Sequence, residues 1–186
     1  MKRLVDFAVS LSGLIVLAPV IALLALAVKL DSPGPAFFWS QRFGRNGTLF
    51  RMPKFRTMRV GTPQLPTHLL TDGRSHLTGI GGVLRKTSLD ELPQLWSVLV
   101  GHMSLVGPRP ALFNQHDLMQ LRHNCGVSAL RPGITGWAQV NGRDELSVSA
   151  KVAFECEYLQ RKSLMFDLKI ILLTADRVIA SKDVAH

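Results

Sequence analysis

Apolar and polar positions alternate differently along this chain, and the first break in pattern falls near residue 30. From Leu4 to Val28 nearly every position is apolar, interrupted by Asp6, Ser10, Ser12, Gly13 and Pro19. Wound as helix at 1.5 Å per residue, this run extends roughly 37 Å, more than a hydrocarbon core of ~30 Å. A cleavable signal peptide has a shorter apolar region followed by a polar mature start, so the segment is expected to be retained. Pro19 removes a backbone donor and pushes Ala18 from ideal helical geometry, which predicts a kink. Lys2 and Arg3 flank one end and Lys29 the other, so the positive-inside rule gives no orientation. The pattern alone favours a proline-kinked span over a hairpin that enters and leaves on one face, and Asp6 places its end near an interface.

Asp31–Pro35 (DSPGP) is a turn cluster that ends the helix. Ala36–Ser40 and Gln41–Phe50 follow, with Gly44, Asn46 and Gly47 marking a turn between two strands of a hairpin. The stretch 61–82, rich in Gly, Pro and polar residues, reads as a long surface loop of the kind that borders sites. Leu92, Leu95, Trp96, Leu99 and Val100 fall on one face of a helix that Gly101 ends. Further helices are predicted over Ala111–His123 and Ser147–Gln160. RPGITGWAQVNGR, Arg131–Arg143, reads as a rigid binding loop, too rich in Gly, Pro and Asn for regular structure. Leu164–Ile179 is apolar but carries Asp167, Lys169, Asp176 and Arg177, which suits a helix lying in a membrane interface. These elements predict an α+β, mostly helical fold: a membrane helix over residues 1–30, a small hairpin, and amphipathic interfacial helices in one domain over 31–186.

Composition narrows the setting. The 186 residues carry a formal net charge of +9 yet a positive mean hydropathy, a combination that points to an anionic membrane surface. Nucleic-acid binding is disfavoured, because the aromatics do not interleave with basic residues. Cys125 and Cys156 lack zinc or disulfide-framework spacing, and the six histidines form no metal motif.

Candidate chemistry centres on RKTSLDELPQ, Arg85–Gln94. Pro93 suits the first turn of a helix, so the helix start falls near Ser88–Asp90 and sets Asp90 and Glu91 at its positive end. With Arg85 and Lys86 nearby, both carboxylates are expected to be ionised, as a nucleophile or a cation ligand must be. On spacing alone Ser88-Leu89-Asp90-Glu91 reads as a capping box, with Glu91 reaching back to the Ser88 N–H. Cations suited to phosphate shift the balance toward chemistry: Lys54 and Arg56 in PKFRTM, Arg109 between two prolines, and Arg131 and Arg143 around the glycine segment.

Four motifs together resemble the monotopic polyprenyl-phosphate phosphoglycosyl transferases, or bacterial sugar transferases: QRFGRNG (Gln41–Gly47), PKFRTM (Pro53–Met58), LRKTSLDELPQLWSVLVGHMSLVGPRP (Leu84–Pro110) and RPGITGWAQVNGR (Arg131–Arg143). The resemblance covers nearly the whole chain, and the chain looks like the family's minimal catalytic form. It implies a ping-pong transfer of a sugar phosphate from a UDP-sugar to polyprenyl phosphate, usually undecaprenyl phosphate, with release of UMP. In that scheme Asp90 is the nucleophile, Glu91 the Mg2+ ligand, and Arg85 and Arg109 phosphate contacts. Lys54, Arg56, Arg131, Gln139, Asn141 and Arg143 are further substrate-binding candidates. The resemblance also implies a re-entrant first helix, reversing the preference for a span, and residues 31–186 as a catalytic domain on the cytoplasmic face of the bacterial inner membrane. Three positions depart from the family pattern: Ala18 where relatives carry Ser before the proline, His102 in place of an acidic residue, and Glu155 for Asp. The main alternative is a non-catalytic adaptor that binds acidic lipid; a phosphohydrolase lacks its DxDx(T/V) signature. The identity of the sugar, the glycan pathway and a possible homo-oligomer stay open.

Overall fold

The computed structural model describes residues 1–63, 76–142 and 146–180. Its first element is α1, Lys2–Asp31, which continues as helix through Pro19. One face of α1 carries exposed Leu4, Phe7, Leu11, Ile15, Val16, Leu23 and Leu26, while Asp6, Ser10 and Val28 are buried on the other. Both ends of α1 bond to the same domain. At the start, Lys2 pairs with Asp167, Arg3 Nη2 donates to Leu99 O at 2.6 Å, and Asp6 accepts from Ser104 Oγ at 2.9 Å and Leu105 N at 3.2 Å. Asp6 is thus buried against Ser104 and Leu105. At the far end the guanidinium of Arg56 donates to the carbonyls of Ser32, Pro33 and Pro35 at 2.7, 3.0 and 2.7 Å, in the turn that follows the helix, and to Val28 O of its last turn at 3.5 Å.

The expected hairpin is present: β1 (Phe37–Phe43) pairs antiparallel with β2 (Leu49–Phe55). Its turn is a short 3₁₀ segment, Arg45–Gly47, in which Asn46 (φ 55°) and Gly47 (φ 75°) take the left-handed conformation that Asn and Gly tolerate. After the hairpin come α2 (Gly81–Lys86), a 3₁₀ turn at Leu89–Glu91 and α3 (Gln94–Val100), ended by Gly101 at φ 93°. β3 (Ser104–Val106) then pairs in parallel with β4 (Gly133–Thr135), with α4 (His116–Asn124) between them in sequence. α5 (Trp137–Val140), α6 (Val148–Arg161) and α7 (Leu164–Ala180) complete the chain. Ser147 caps α6 by accepting from Ala150 N at 3.2 Å.

Segment 131–143 is therefore not wholly irregular, because it supplies a strand and a helical turn. Its glycines serve close backbone approach. A Cβ on Gly133 would stand 2.1 Å from Gly107 N, and one on Gly136 would stand 2.1 Å from Gly107 O. The core is divided into small clusters. Val28, Phe55 and Leu84 join α1 to the hairpin and α2, while Val106, Val140, Tyr158, Phe166 and Ile170 join the β3/β4 pair to α5, α6 and α7. Burying a side chain the size of Phe55 contributes about 1.5–3 kcal/mol, so the α1 junction is a substantial share of the fold's stability. α7 buries Phe166 and Ile170 but leaves Met165, Leu168 and Leu172 exposed, so apolar residues lie on both its inner and outer sides.

Candidate active site

The Asp90-Glu91 pair lies on the 3₁₀ turn between α2 and α3, and the turn's entry decides where the carboxylates point. Ser88 adopts φ 57° and ψ 16°, a left-handed conformation that is costly for a residue with a Cβ, and its side chain makes no capping bond. The capping box is not formed; instead Glu91 N donates to Ser88 O at 3.1 Å, closing the turn through the backbone. The Glu91 carboxylate is left for other partners. Lys54 Nζ, carried on β2, donates to Glu91 Oε1 at 2.7 Å and stands 3.6 Å from Asp90 Oδ2. Arg109 Nη2 reaches Glu91 Oε1 at 3.4 Å, and Arg85 anchors its Nε on Thr57 Oγ1 at 3.0 Å.

Burial sets the electrostatics here. It pushes the Asp90 carboxyl above its ordinary value; Lys54 pulls it back most, Glu91 adds to the rise, and Arg85 and Arg109 oppose it. The expected stabilisation of the charged form by neighbouring cations is present but is outweighed by desolvation. Burial likewise lowers Arg85, and Asp90 partly restores it.

Arg109 stands on a loop held from two sides. Arg122, 4 % exposed on α4, donates Nη2 to Arg109 O at 2.9 Å, and its charge is met by Glu155 of α6, whose Oε2 accepts from Nε at 2.7 Å. Arg42 of β1 donates Nη1 to Pro110 O at 3.1 Å. Arg42, Arg109 and Pro110, but not the Arg122–Glu155 pair behind them, line a pocket together with Met52, Lys54, Glu91, Gln94, Gly133 and Ile134. Three cations and a carboxylate around one opening are groups whose chemistry suits phosphate oxygens.

The bacterial sugar transferase family model matches residues 1–181. The chain belongs to that family. Among its relatives, a protein of Xanthomonas campestris pv. campestris named UDP-glucose:undecaprenyl-phosphate glucose-1-phosphate transferase is 42% identical over 189 residues, covering 97% of this chain and 39% of the relative. One of the same name from Escherichia coli (strain K12) is 40% identical over 194 residues, covering 98% and 41%. The chain thus spans about two fifths of the length of these two relatives. The exopolysaccharide production protein ExoY of Sinorhizobium fredii (strain NBRC 101917 / NGR234) is 36% identical over 197 residues, covering 97% of this chain and 86% of that protein.

Of the residues that the sequence singles out, Asp90, Glu91, Lys54, Arg85 and Arg109 come together. Arg56 does not join them: it is 5 % exposed, and its guanidinium is spent on the carbonyls of Ser32, Pro33 and Pro35. Arg131 Nε donates to Gly101 O at 2.9 Å, and Asn141 Nδ2 to Trp137 O at 2.7 Å; neither lines the pocket. Gln139 stands behind it, donating Nε2 to the carbonyl of the pocket residue Ile134 at 3.0 Å. Arg143 lies outside the described residues. Sequence reasoning missed Arg42, Gln94 and the Arg122–Glu155 pair. The QRFGRNG motif carried a signal for Arg42, whereas the pairing of α4 with α6 had none.

Among the described residues no three His, Cys, Asp or Glu side chains converge on one point. Mg2+ is commonly held by one or two carboxylates, with substrate phosphates and waters filling its other positions. Glu91, a carboxylate on the rim of the pocket, fits that mode.

Proposed function

We propose that this sugar transferase moves a sugar phosphate from a UDP-sugar to polyprenyl phosphate at a membrane surface and releases UMP. The observation that carries the reading is the buried Asp90 carboxyl beside Glu91, with Lys54 bridging the two and Arg85 and Arg109 adding positive charge. The names of the similar transferases supply the substrate classes, UDP-glucose and undecaprenyl phosphate.

In this scheme an Asp90 oxygen attacks the sugar-bearing phosphorus of the donor. A P–O bond forms to Asp90, the P–O bond to the nucleotide breaks, and UMP leaves with the bridging oxygen. A phosphate oxygen of the polyprenyl phosphate then attacks the same phosphorus and displaces Asp90, giving a polyprenyl-diphosphate sugar and a regenerated carboxylate. Lys54, nearest to Asp90, favours its ionised form against the effect of burial. Arg109 holds phosphate oxygens in line for displacement. Mg2+, bound through Glu91, would neutralise phosphate charge.

The membrane placement follows the same reading. A spanning α1 would carry its two ends to opposite faces, whereas here both ends bond one domain and the exposed side is apolar. This supports a re-entrant helix that sets the pocket at headgroup level, with α7 lying alongside and the catalytic domain on the cytoplasmic face of the inner membrane.

The test is UMP release by detergent-solubilised protein with magnesium, undecaprenyl phosphate and a panel of UDP-sugars. Asp90→Asn is expected to lower the rate by at least roughly a thousandfold. Folded wild type that releases no UMP with any donor would instead favour a lipid-binding adaptor.

A further inference from the structure

Arg42 sits near the end of β1 within QRFGRNG, a motif that the proposed reaction leaves without a role. It lines the pocket with Lys54, Glu91, Gln94 and Arg109. Its Nε donates to Ser40 Oγ at 2.9 Å and its Nη1 to Pro110 O at 3.1 Å, while Nη2 makes no hydrogen bond among the described residues.

Two other arginines show what a purely structural guanidinium looks like in this fold. Arg56 is saturated by the carbonyls of the turn after α1, and Arg122 is faced by the Glu155 carboxylate. Arg42 has neither arrangement: no carboxylate stands within 4.0 Å of it among the described residues, and one of its three nitrogens is unspent at a pocket wall. Burial lowers its pKa to about 10, with the nearby Arg109 charge acting in the same direction and Glu91 opposing. An anion seated beside Arg42 offsets both the burial of its guanidinium and the repulsion from Arg109.

We propose that Arg42 is a phosphate-binding residue, whose Nη2 edge joins the Arg109 guanidinium in gripping the diphosphate of the nucleotide sugar. The ligand's identity rests on the transferase reading; the anion site rests on the geometry. Fixing Ser40 and Pro110 with its other two nitrogens orients the remaining edge in advance, so little side-chain entropy is lost when phosphate arrives.

The experiment measures binding of inorganic pyrophosphate, UDP and uridine to the full chain in detergent and magnesium buffer, for wild type, R42Q and R42K. R42Q is expected to weaken pyrophosphate and UDP by roughly ten- to a hundredfold, the loss of one charge-assisted hydrogen bond, and to leave uridine unchanged. Unchanged pyrophosphate affinity in folded R42Q overturns the inference. So does a parallel loss of uridine, which would make Arg42 a support of the Pro110 loop alone, and so does wild type that binds neither phosphate probe. Should R42Q lose its cooperative melting transition, R42K decides: a point charge in place of the fork is expected to cost about threefold or more on pyrophosphate, and affinity equal to wild type overturns the proposal. Wild type that binds UDP and pyrophosphate but makes no lipid-linked product would overturn the transferase reading while leaving Arg42 to be judged on binding.

Discussion

Lys54 and Arg56 are two apart in one motif and look interchangeable in sequence, yet one reaches the Asp90 and Glu91 carboxylates and the other the turn after a helix. Period-two alternation would set them on the same side of a strand, but β2 stops at Phe55, so Arg56 leaves the sheet and finds the carbonyls of Ser32, Pro33 and Pro35. The buried ion pair behind Arg109 was equally hidden, because Arg122 and Glu155 are ordinary charges until α4 and α6 pack. Its removal should be costly: Glu155→Gln leaves Arg122 buried without its counter-charge. It is expected to destabilise the protein by about 3–5 kcal/mol, read by denaturant melts of nanodisc-embedded protein. The same variant should raise KM for the UDP-sugar, since Arg122 also holds the Arg109 carbonyl. The cysteines give a separate check. Burial, followed by the neighbouring Cys125 thiol, pushes the Cys156 thiol up to about 11. At pH 8 it is almost wholly protonated, so iodoacetamide should alkylate Cys156 more slowly than free cysteine, the rate climbing as pH rises toward that value.

At the scale of elements, the turn that carries Asp90 and Glu91 is where the sequence pattern misleads most. Ser-x-x-Glu is the arrangement of a helix cap, and only the left-handed Ser88 shows that the segment is a 3₁₀ turn with its carboxylates directed into the domain. A β-branched residue resists that conformation, so Ser88→Val is expected to cost about 1–2 kcal/mol and to lower kcat by displacing Asp90. Ser88→Gly accepts the same backbone and should keep kcat within a few fold. Parallel melts and UMP-release assays on the two variants separate the backbone effect from the loss of the hydroxyl. The hairpin and α6 were legible because their signals are local: Asn46 and Gly47 at the turn, Ser147 at the cap. The strand and helical turn within Arg131–Val140 were not, because the glycines there answer to Gly107, far away in sequence.

For the molecule as a whole, the arrangement of α1 is what joins site to membrane. Apolar length alone fitted a span, whereas contacts at both ends favour re-entry, and the two readings part in a labelling experiment. With Cys125 and Cys156 changed to serine, single cysteines placed at Met1 and Leu30 should react with an impermeant maleimide from the same side of sealed vesicles. Labelling from opposite sides would show that α1 crosses the bilayer and would end the re-entrant reading.

The sequence by itself determined the apolar helix, the hairpin, the amphipathic helices, the Asp-Glu pair and the family, because each is written in neighbouring residues or in contiguous motifs. Tertiary structure decided which cations surround that pair, that Arg56 bonds the turn after α1, that Arg42 shares the pocket, and that burial outweighs neighbouring charge at Asp90. Those outcomes depend on strand register, on where a strand stops and on how much water packing removes. Each is a property of residues distant in sequence meeting in space, and no local pattern encodes it.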